Sequence, residues 1–386
     1  MGTAVSSERS SGRLLFVDAT RGAAMGLVCL SHFGLFYFWN AGGLQAAHLI
    51  MHVALPATTV FMLVSGIVCG MLLAPGASGS HRLKDKLADR ALFLLGPGHL
   101  MVRAGHWKVI AMAPASSHWL FATDVIGVSL ILGIWIIPRT RSLTRAALGF
   151  LLFGASWIIY LAWSPHALYA LLFKDFMFGE VQSGASGVIF PILPWLGFYF
   201  VALAFGEQVA AWREQSRDLA RLLVLIGVPL VVVAVLLHLC RGLVPFNLQL
   251  LLSAGQKYPP GPTYLLFGSG FGVLLLATNA WLAKQGYFQR TLEFFALVGR
   301  NALVVFLVQY FVYYCGFLLL RLPISRLWPL YFGLSLVVNF GTAWLWERYF
   351  GSKYLTVGWP WRRRPLPATV SSNETAVRTA FEIAEK

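Results

Sequence analysis

Charged residues are scarce in this chain of 386 residues. Only 12% of the residues are charged and 58% are hydrophobic, with a mean hydropathy of +0.70, whereas a soluble domain carries about 25% charge. Such a composition excludes a soluble enzyme. Ten apolar stretches of about 20 residues, each able to cross about 30 Å of hydrocarbon, would use over half of the chain. The sequence therefore predicts an all-α, polytopic integral membrane protein.

Cysteine is rare as well, which limits the chemistry that the chain can carry. Its four cysteines, Cys29, Cys69, Cys240 and Cys315, lie within apolar stretches and form no CxxC pair. Neither a disulfide framework nor a thiolate metal site is expected. A removable signal peptide is not expected either, because residues 1–12 are polar and lack an apolar core with a small-residue cleavage site.

The apolar runs predict about ten transmembrane helices within a single domain at residues 13–350. Residues 1–12 form a polar N-terminus, and the tail at 351–386 is predicted to be basic and then disordered. The third span contains Gly96, Pro97 and Gly98, which break or kink a helix, so we expect it to pack inside protein. The predicted spans are residues 16–39, 47–74, 88–106, 118–137, 143–164, 188–210, 221–240, 263–283, 291–320 and 327–350.

The net charge of +15 arises from Lys and Arg residues in short loops between the spans. If the N-terminus is cytoplasmic, 21 of the 30 basic residues fall on the cytoplasmic side, seven fall outside and two lie within spans. This positive-inside asymmetry predicts that both termini are cytoplasmic. The basic loops are thus topology signals, and we expect no nucleic-acid partner.

The first span carries three ionisable side chains in line. Arg21 and His32 are eleven residues apart, which places them about 20° from the same helical face and roughly 16 Å apart along the axis. Asp18 precedes Arg21 by one turn. Such residues are costly in a membrane and tend to mark substrate or ion pathways. Alternatively, Asp18 and Arg21 anchor the helix as an interfacial ion pair, and His32 forms a hydrogen bond between helices.

Several segments resemble membrane acyltransferases. The segment FVDATRGAAMGLVCLSH, with Arg21 and His32, and VFMLVSGIVCG at residues 60–70 resemble the first two spans of acyltransferase family three. Other segments are similar to the bacterial relatives of heparan-α-glucosaminide N-acetyltransferase. These are PILPWLGFYFVALAFG at 191–206, KYPPGPTYLLFGSGFGVLLL at 257–276 and VGRNALVVFLVQ at 298–309.

The resemblance implies transfer of an acyl group, often acetyl, from cytoplasmic acyl-CoA to a hydroxyl or amine of an extracytoplasmic glycan or glycolipid. His32 matches the reactive histidine of family three. Relatives of the heparan enzyme tend to have Asn there and a later histidine, for which the candidate is His48. Either histidine could act as a general base or carry the acyl group. Asp18 completes the predicted catalytic set by holding Arg21 in place.

The resemblance also implies a binding site for the acyl-CoA donor. Arg21, near the cytoplasmic face, is expected to neutralise phosphate or other polar groups of CoA. Arg300 and Asn301 lie about ten residues into the ninth span and are expected to line the same cavity, although a structural bond between helices fits them nearly as well. Asp124, in the fourth span, and Glu293, at the start of the ninth, are not assigned a role, and Asp124 is the better functional candidate by its depth.

The predicted acceptor site lies on the opposite side of the membrane. Lys257 and Tyr258 precede the eighth span and are available to a glycan, and Trp195 could stack on a sugar or belong to the interfacial aromatic belt. His52 lies one turn after His48, a spacing that also suits a metal. We expect no metal site, because the third ligand of a catalytic zinc is missing.

These observations favour an O- or N-acyltransferase of the bacterial inner membrane that uses acyl-CoA, with acetyl-CoA as the expected donor. Its partners would be membrane lipids and a glycan or glycolipid acceptor, and self-association stays open. Two other functions fit less well. A proton-coupled transporter also uses buried Asp, Arg and His residues, but no internal repeat is evident. The remaining alternative is a non-catalytic scaffold.

Overall fold

The computed structural model describes residues 14–38, 49–50, 52–73, 80–112, 120–179, 190–215, 217–320, 322, 326–351 and 355–358. The regular elements of these residues are helices, in agreement with the predicted all-α class. The α-helices are α1 Leu15–Phe33, α2 Ala57–Leu73, α3 Ser80–Phe93, α4 His99–Gly105, α5 Trp107–Met112, α6 Ala122–Ile136, α7 Ser142–Ala162, α8 Leu168–Met177, α9 Ile192–Glu214, α10 Leu219–Leu239, α11 Phe246–Gln249, α12 Pro262–Gln285, α13 Gln289–Arg300, α14 Ala302–Tyr310, α15 Phe317–Leu320 and α16 Trp328–Phe350.

Five helical segments of the described residues are long and apolar enough to cross a bilayer. The helix pair α13 and α14 counts as a sixth if it forms one span. The protein is therefore an integral membrane protein, whereas ten spans and cytoplasmic termini stay predictions. The five segments are Ala122–Arg139, Ser142–Ala162, Ile192–Glu214, Leu219–Leu243 and Pro262–Gln285.

The predicted ninth span, residues 291–320, is wrong as a continuous helix. It bends by 69° between α13 and α14. Asn301 lies at the break, where its side-chain amide donates to the carbonyl of Leu297 at 3.0 Å and to Glu347 Oε2 on α16 at 2.8 Å. These two bonds satisfy polar groups that a membrane would otherwise leave unpaired.

The predicted interruption of the third span is confirmed as a π-helical turn, Leu94–Gly98, between α3 and α4. Pro97 lies within this turn and has no amide hydrogen to donate to a regular α-helical bond. Two further π turns follow α1 at Gly34–Phe38 and α14 at Phe311–Gly316. Each turn contributes side chains to the cavities described below, among them Leu94, Phe36 and Tyr314.

Helix α1 lies at the centre and packs against α2, α12, α13 and α14. Its crossing with α13 is so close that a Cβ atom on Gly22 would collide with the carbonyl of Phe295, and one on Gly299 with the carbonyl of Asp18. A second close crossing joins α2 to α9, where Gly70 faces the carbonyl of Leu203. Small residues at such crossings let transmembrane helices approach closely. The helix that carries Arg21 and His32 is thereby fixed against its neighbours.

Candidate active site

A polar cavity, called here the basic cavity, is lined by Arg21 together with Lys86 and Arg90 of α3. Its volume is about 130 Å³, and α2, α6 and α14 complete its wall. Arg21 lies 4.0 Å from Asp18, one turn earlier on α1. Three cationic side chains around one cavity favour an anionic ligand, and guanidinium groups suit phosphate oxygens particularly well.

The second cavity, called here the histidine cavity, also has a volume of about 130 Å³ and contains His32 in its wall. Lys257 and Tyr258 line the same space, so the structure brings three of the predicted site residues together. Thr58 of α2 and His106, which follows α4, contribute further polar groups. The cavity thus combines a titratable ring with hydroxyl and ammonium donors.

His32 is oriented by Gln309, a fully buried side chain of α14. His32 Nδ1 and Gln309 Oε1 are 2.5 Å apart. Because the carbonyl oxygen of Gln309 accepts, Nδ1 carries the proton and the lone pair lies on Nε2. This is the tautomer that can take a proton from a substrate at Nε2.

Tyr310 and Tyr314 form an aromatic wall shared by two histidines. The ring centroid of His32 lies 5.4 Å from that of Tyr310 and 5.2 Å from that of Tyr314. The corresponding distances from His106 are 4.8 and 4.2 Å. His106 Nδ1 donates to the carbonyl of Val102 at 2.8 Å, which fixes its ring as well. The wall holds both imidazoles in place and limits the width of the histidine cavity.

Lys257 is the one cation among the described residues that line the histidine cavity, and no carboxylate is among them. Its ammonium lies 5.1 Å from the centre of the Tyr258 ring. Burial lowers the pKa of Lys257 below its ordinary value. The segment between α11 and α12 carries Lys257. It is held by Trp157 of α7, whose indole donates to the carbonyl of Pro260 at 3.0 Å. This arrangement holds Lys257 at the cavity in which His32 lies.

The basic and histidine cavities meet at two phenylalanines. Phe61 of α2 and Phe306 of α14 line both cavities, with ring centroids 5.8 Å apart and an interplanar angle of 13°. Arg21 therefore faces one cavity and His32 the other, on a single helix and roughly 16 Å apart by helical rise. A ligand could reach from one cavity into the other only past this stacked pair.

Two predicted donor-site residues lie away from the places expected for them. Arg300 and Asn301 do not line the basic cavity. Arg300 Nε is 3.4 Å from Glu347 Oε1 of α16, and Asn301 binds the same carboxylate, because both residues lie at the break between α13 and α14. The contacts of Arg300 and Asn301 with Glu347 fit the alternative stated for them, a structural bond between helices. Asp18 lies beside Arg21 as expected, at 4.0 Å, and fourteen residues or roughly 21 Å by helical rise from His32.

Two predicted acceptor residues also lie outside the histidine cavity. Trp195 is fully buried, with Phe190, Phe198 and Tyr264 around its indole, so this packing leaves it no face for a sugar. His52 is exposed and is not part of the cavity lining. His48 lies outside the described residues.

Sequence reasoning missed several polar residues of the site. Gln309 ends the segment 298–309 that resembles known acyltransferases, but nothing in its spacing connects it with His32. His106 lies at the end of a predicted span. Asp124, left without a role, accepts from the amide of Phe121 at 2.8 Å and lies 3.0 Å from His99 Nδ1. This pair joins the start of α6 to α4.

Within the described part of the chain, no three His, Cys, Asp or Glu side chains are grouped closely enough to hold a metal ion. Residues 13–246 match the family described as heparan-alpha-glucosaminide N-acetyltransferase, catalytic. No curated protein matches the chain significantly. The matched region includes Arg21, His32, Lys86 and Arg90, and it ends before Lys257 and Gln309.

Proposed function

We propose that this membrane protein, which belongs to the heparan-alpha-glucosaminide N-acetyltransferase family, transfers an acetyl group from acetyl-CoA to a hydroxyl or amine of a glycan or glycolipid. The donor enters from the cytoplasm and the acceptor from the other side of a bacterial inner membrane. The observation that carries this proposal is the pair of neighbouring cavities lined by α1, one basic and one containing His32.

In the proposed donor complex, Arg21, Lys86 and Arg90 bind the phosphates of CoA. A charge-assisted hydrogen bond contributes about 1.5–3 kcal/mol, so three cations can hold a strongly anionic ligand. The pantetheine arm then passes Phe61 and Phe306 and brings the thioester to His32. Asp18 acts as a positioning residue, because its carboxylate lies beside the Arg21 guanidinium.

In the proposed reaction, His32 is the general base. Its Nε2 takes the proton of the acceptor hydroxyl or amine while the acceptor oxygen or nitrogen forms a bond to the thioester carbon. The carbon–sulfur bond breaks, and the departing CoA thiolate receives the proton from the imidazolium. Gln309 stabilises the imidazole through Nδ1 throughout. Hydroxyl and ammonium donors from Tyr258 and Lys257 are available to hold the acceptor.

A binding and transfer assay tests the proposed activity. Purified protein in nanodiscs is incubated with acetyl-CoA labelled in the acetyl group and with a panel of amino sugars and glycolipids. We expect CoA release that depends on the acceptor and label in the acceptor. Release of no CoA with any acceptor, together with movement of a solute across liposomes that contain the protein, would favour the transporter.

The direction of transfer is tested by cysteine labelling. An impermeant thiol reagent applied from outside intact cells should label a cysteine introduced at Gly43 but not one introduced at Arg141. Introduced cysteines are needed because Cys29, Cys69 and Cys315 are buried. Cys240 is exposed and is replaced by Ser in all variants. Labelling only at position 141 would reverse the proposed sides of donor and acceptor.

A further inference from the structure

The stacked pair of Phe61 and Phe306 lies where the basic cavity ends and the histidine cavity begins. These are the residues that the two linings have in common within the described chain. The rings are 5.8 Å apart and nearly parallel, and Phe306 is in turn edge-on to Tyr310, at 5.1 Å between ring centroids. A continuous aromatic contact therefore runs from the boundary between the cavities to the wall beside His32.

The volume beyond this boundary is small. The histidine cavity measures about 130 Å³, whereas pockets for drug-sized ligands measure about 300–1,000 Å³. It must hold the acyl group, the thioester carbon and the reacting group of the acceptor together. Each methylene added to the acyl group competes for this space with the acceptor and with the aromatic rings that line it. Two of these rings, Tyr310 and Tyr314, are already packed against His32 and His106.

We infer that Phe61 and Phe306 determine the length of the acyl group that the protein accepts. This inference rests on the proposed function, since it assigns acyl-CoA to the basic cavity. The two rings restrict the space next to His32 to a short acyl group. Removing either ring joins the two cavities and provides room for additional methylenes.

The test measures donor affinity, so it needs no knowledge of the acceptor. Labelled acetyl-CoA is bound to the protein in nanodiscs and displaced by unlabelled acetyl-, propionyl-, butyryl- and hexanoyl-CoA. One methylene in a close-fitting pocket changes affinity by roughly 10- to 200-fold. We expect wild type to bind butyryl-CoA much more weakly than acetyl-CoA, and Phe61→Ala to reduce this difference by at least about tenfold.

Phe306→Leu is the second variant. Phe306 is only 4% exposed, so its replacement by Ala could unfold the protein, whereas Leu retains much of the packing. The matched control is Phe205→Ala. Phe205 lines a separate apolar cavity of about 470 Å³ between α7, α9, α10 and α12, and its loss should leave the acyl preference unchanged.

The outcomes separate this inference from the proposed function. If wild type does not bind acetyl-CoA at all, the proposed function fails. If wild type and both variants bind acetyl-CoA but show the same ratio of affinities for butyryl- and acetyl-CoA, the inference about Phe61 and Phe306 is overturned. An equal change in Phe205→Ala also overturns it, because the effect would then reflect general loosening of the bundle.

Discussion

The hydrogen bond between His32 and Gln309 gives the sharpest prediction about catalysis. Gln309→Leu keeps a side chain of similar size but removes the carbonyl oxygen that lies 2.5 Å from His32 Nδ1. In wild type, this acceptor keeps the proton on Nδ1 and the lone pair on Nε2. We expect the variant to fold and to bind donor, and to turn over slowly because its imidazole is in the wrong tautomer.

The size of the effect follows from the cost of an unsatisfied donor. Gln309 is fully buried, so its loss leaves the Nδ1 proton of His32 without a partner, at a cost of about 1–3 kcal/mol. A shift of the proton from Nδ1 to Nε2 avoids this cost, so the tautomer protonated at Nε2 becomes favoured. At about 1.4 kcal/mol per tenfold, the reactive tautomer becomes roughly 5- to 150-fold less populated. Turnover should fall by the same factor, with little change in KM for acetyl-CoA.

The assay is a double-mutant cycle on kcat. His32→Ala removes the general base itself, and should reduce turnover by about 10²- to 10⁴-fold. Because Gln309 acts only through His32, the double variant should be no slower than His32→Ala alone. Gln289→Leu, an exposed glutamine on α13, is the matched control. Fully additive losses, or unchanged turnover in Gln309→Leu, would refute the assigned role.

Three further predictions concern the cations. Arg21→Ala should weaken acetyl-CoA binding by roughly 10- to 100-fold without lowering the melting temperature in detergent. If the affinity is unchanged, Arg21 does not bind the donor and its role is limited to the ion pair with Asp18. Arg145 is 2% exposed and paired with Glu207, so Arg145→Ala should lower the free energy of unfolding by about 3–5 kcal/mol. Lys284 belongs to an exposed pair, so Lys284→Ala should lower it by at most about 1 kcal/mol. Equal melting temperatures for these two variants would contradict this. Because burial lowers the pKa of Lys257, this side chain loses its charge at a lower pH than an exposed lysine does. The neutral amine should hold the acceptor less well, so the KM for the acceptor should rise at alkaline pH. Lys257→Arg, which stays protonated, should remove that rise, and identical profiles would exclude the cation from acceptor binding.

The sequence predicted the parts of the site that lie on one helix. Periodicity alone placed Arg21 and His32 on one face of α1, and the structure puts them in two adjoining cavities. The all-helical class and the interruption at Pro97 followed from composition and from a missing amide donor. In each case the determining interactions are local, within a few turns of the chain.

The remaining features depend on contacts between distant segments. Gln309 reaches His32 across 277 positions, and the break at Asn301 depends on Glu347, 46 residues later. The hydropathy of residues 291–320 predicted one apolar span. A single Asn in the sequence does not show whether a carboxylate from another helix lies beside it, so the break was not predicted. Trp195 was predicted either to stack on a sugar or to belong to the interfacial belt. Its burial could not be predicted, because it depends partly on Tyr264, which comes from a helix about 70 residues later.

The division of the site into two cavities has a kinetic consequence. If CoA leaves through the basic cavity and the acceptor enters through the histidine cavity, the two molecules never occupy the same place. Added CoA should then inhibit competitively against acetyl-CoA, whereas no concentration of acceptor should relieve that inhibition. In an enzyme with a single entrance, one substrate must leave before the other binds. A high concentration of acceptor would then relieve the inhibition by CoA.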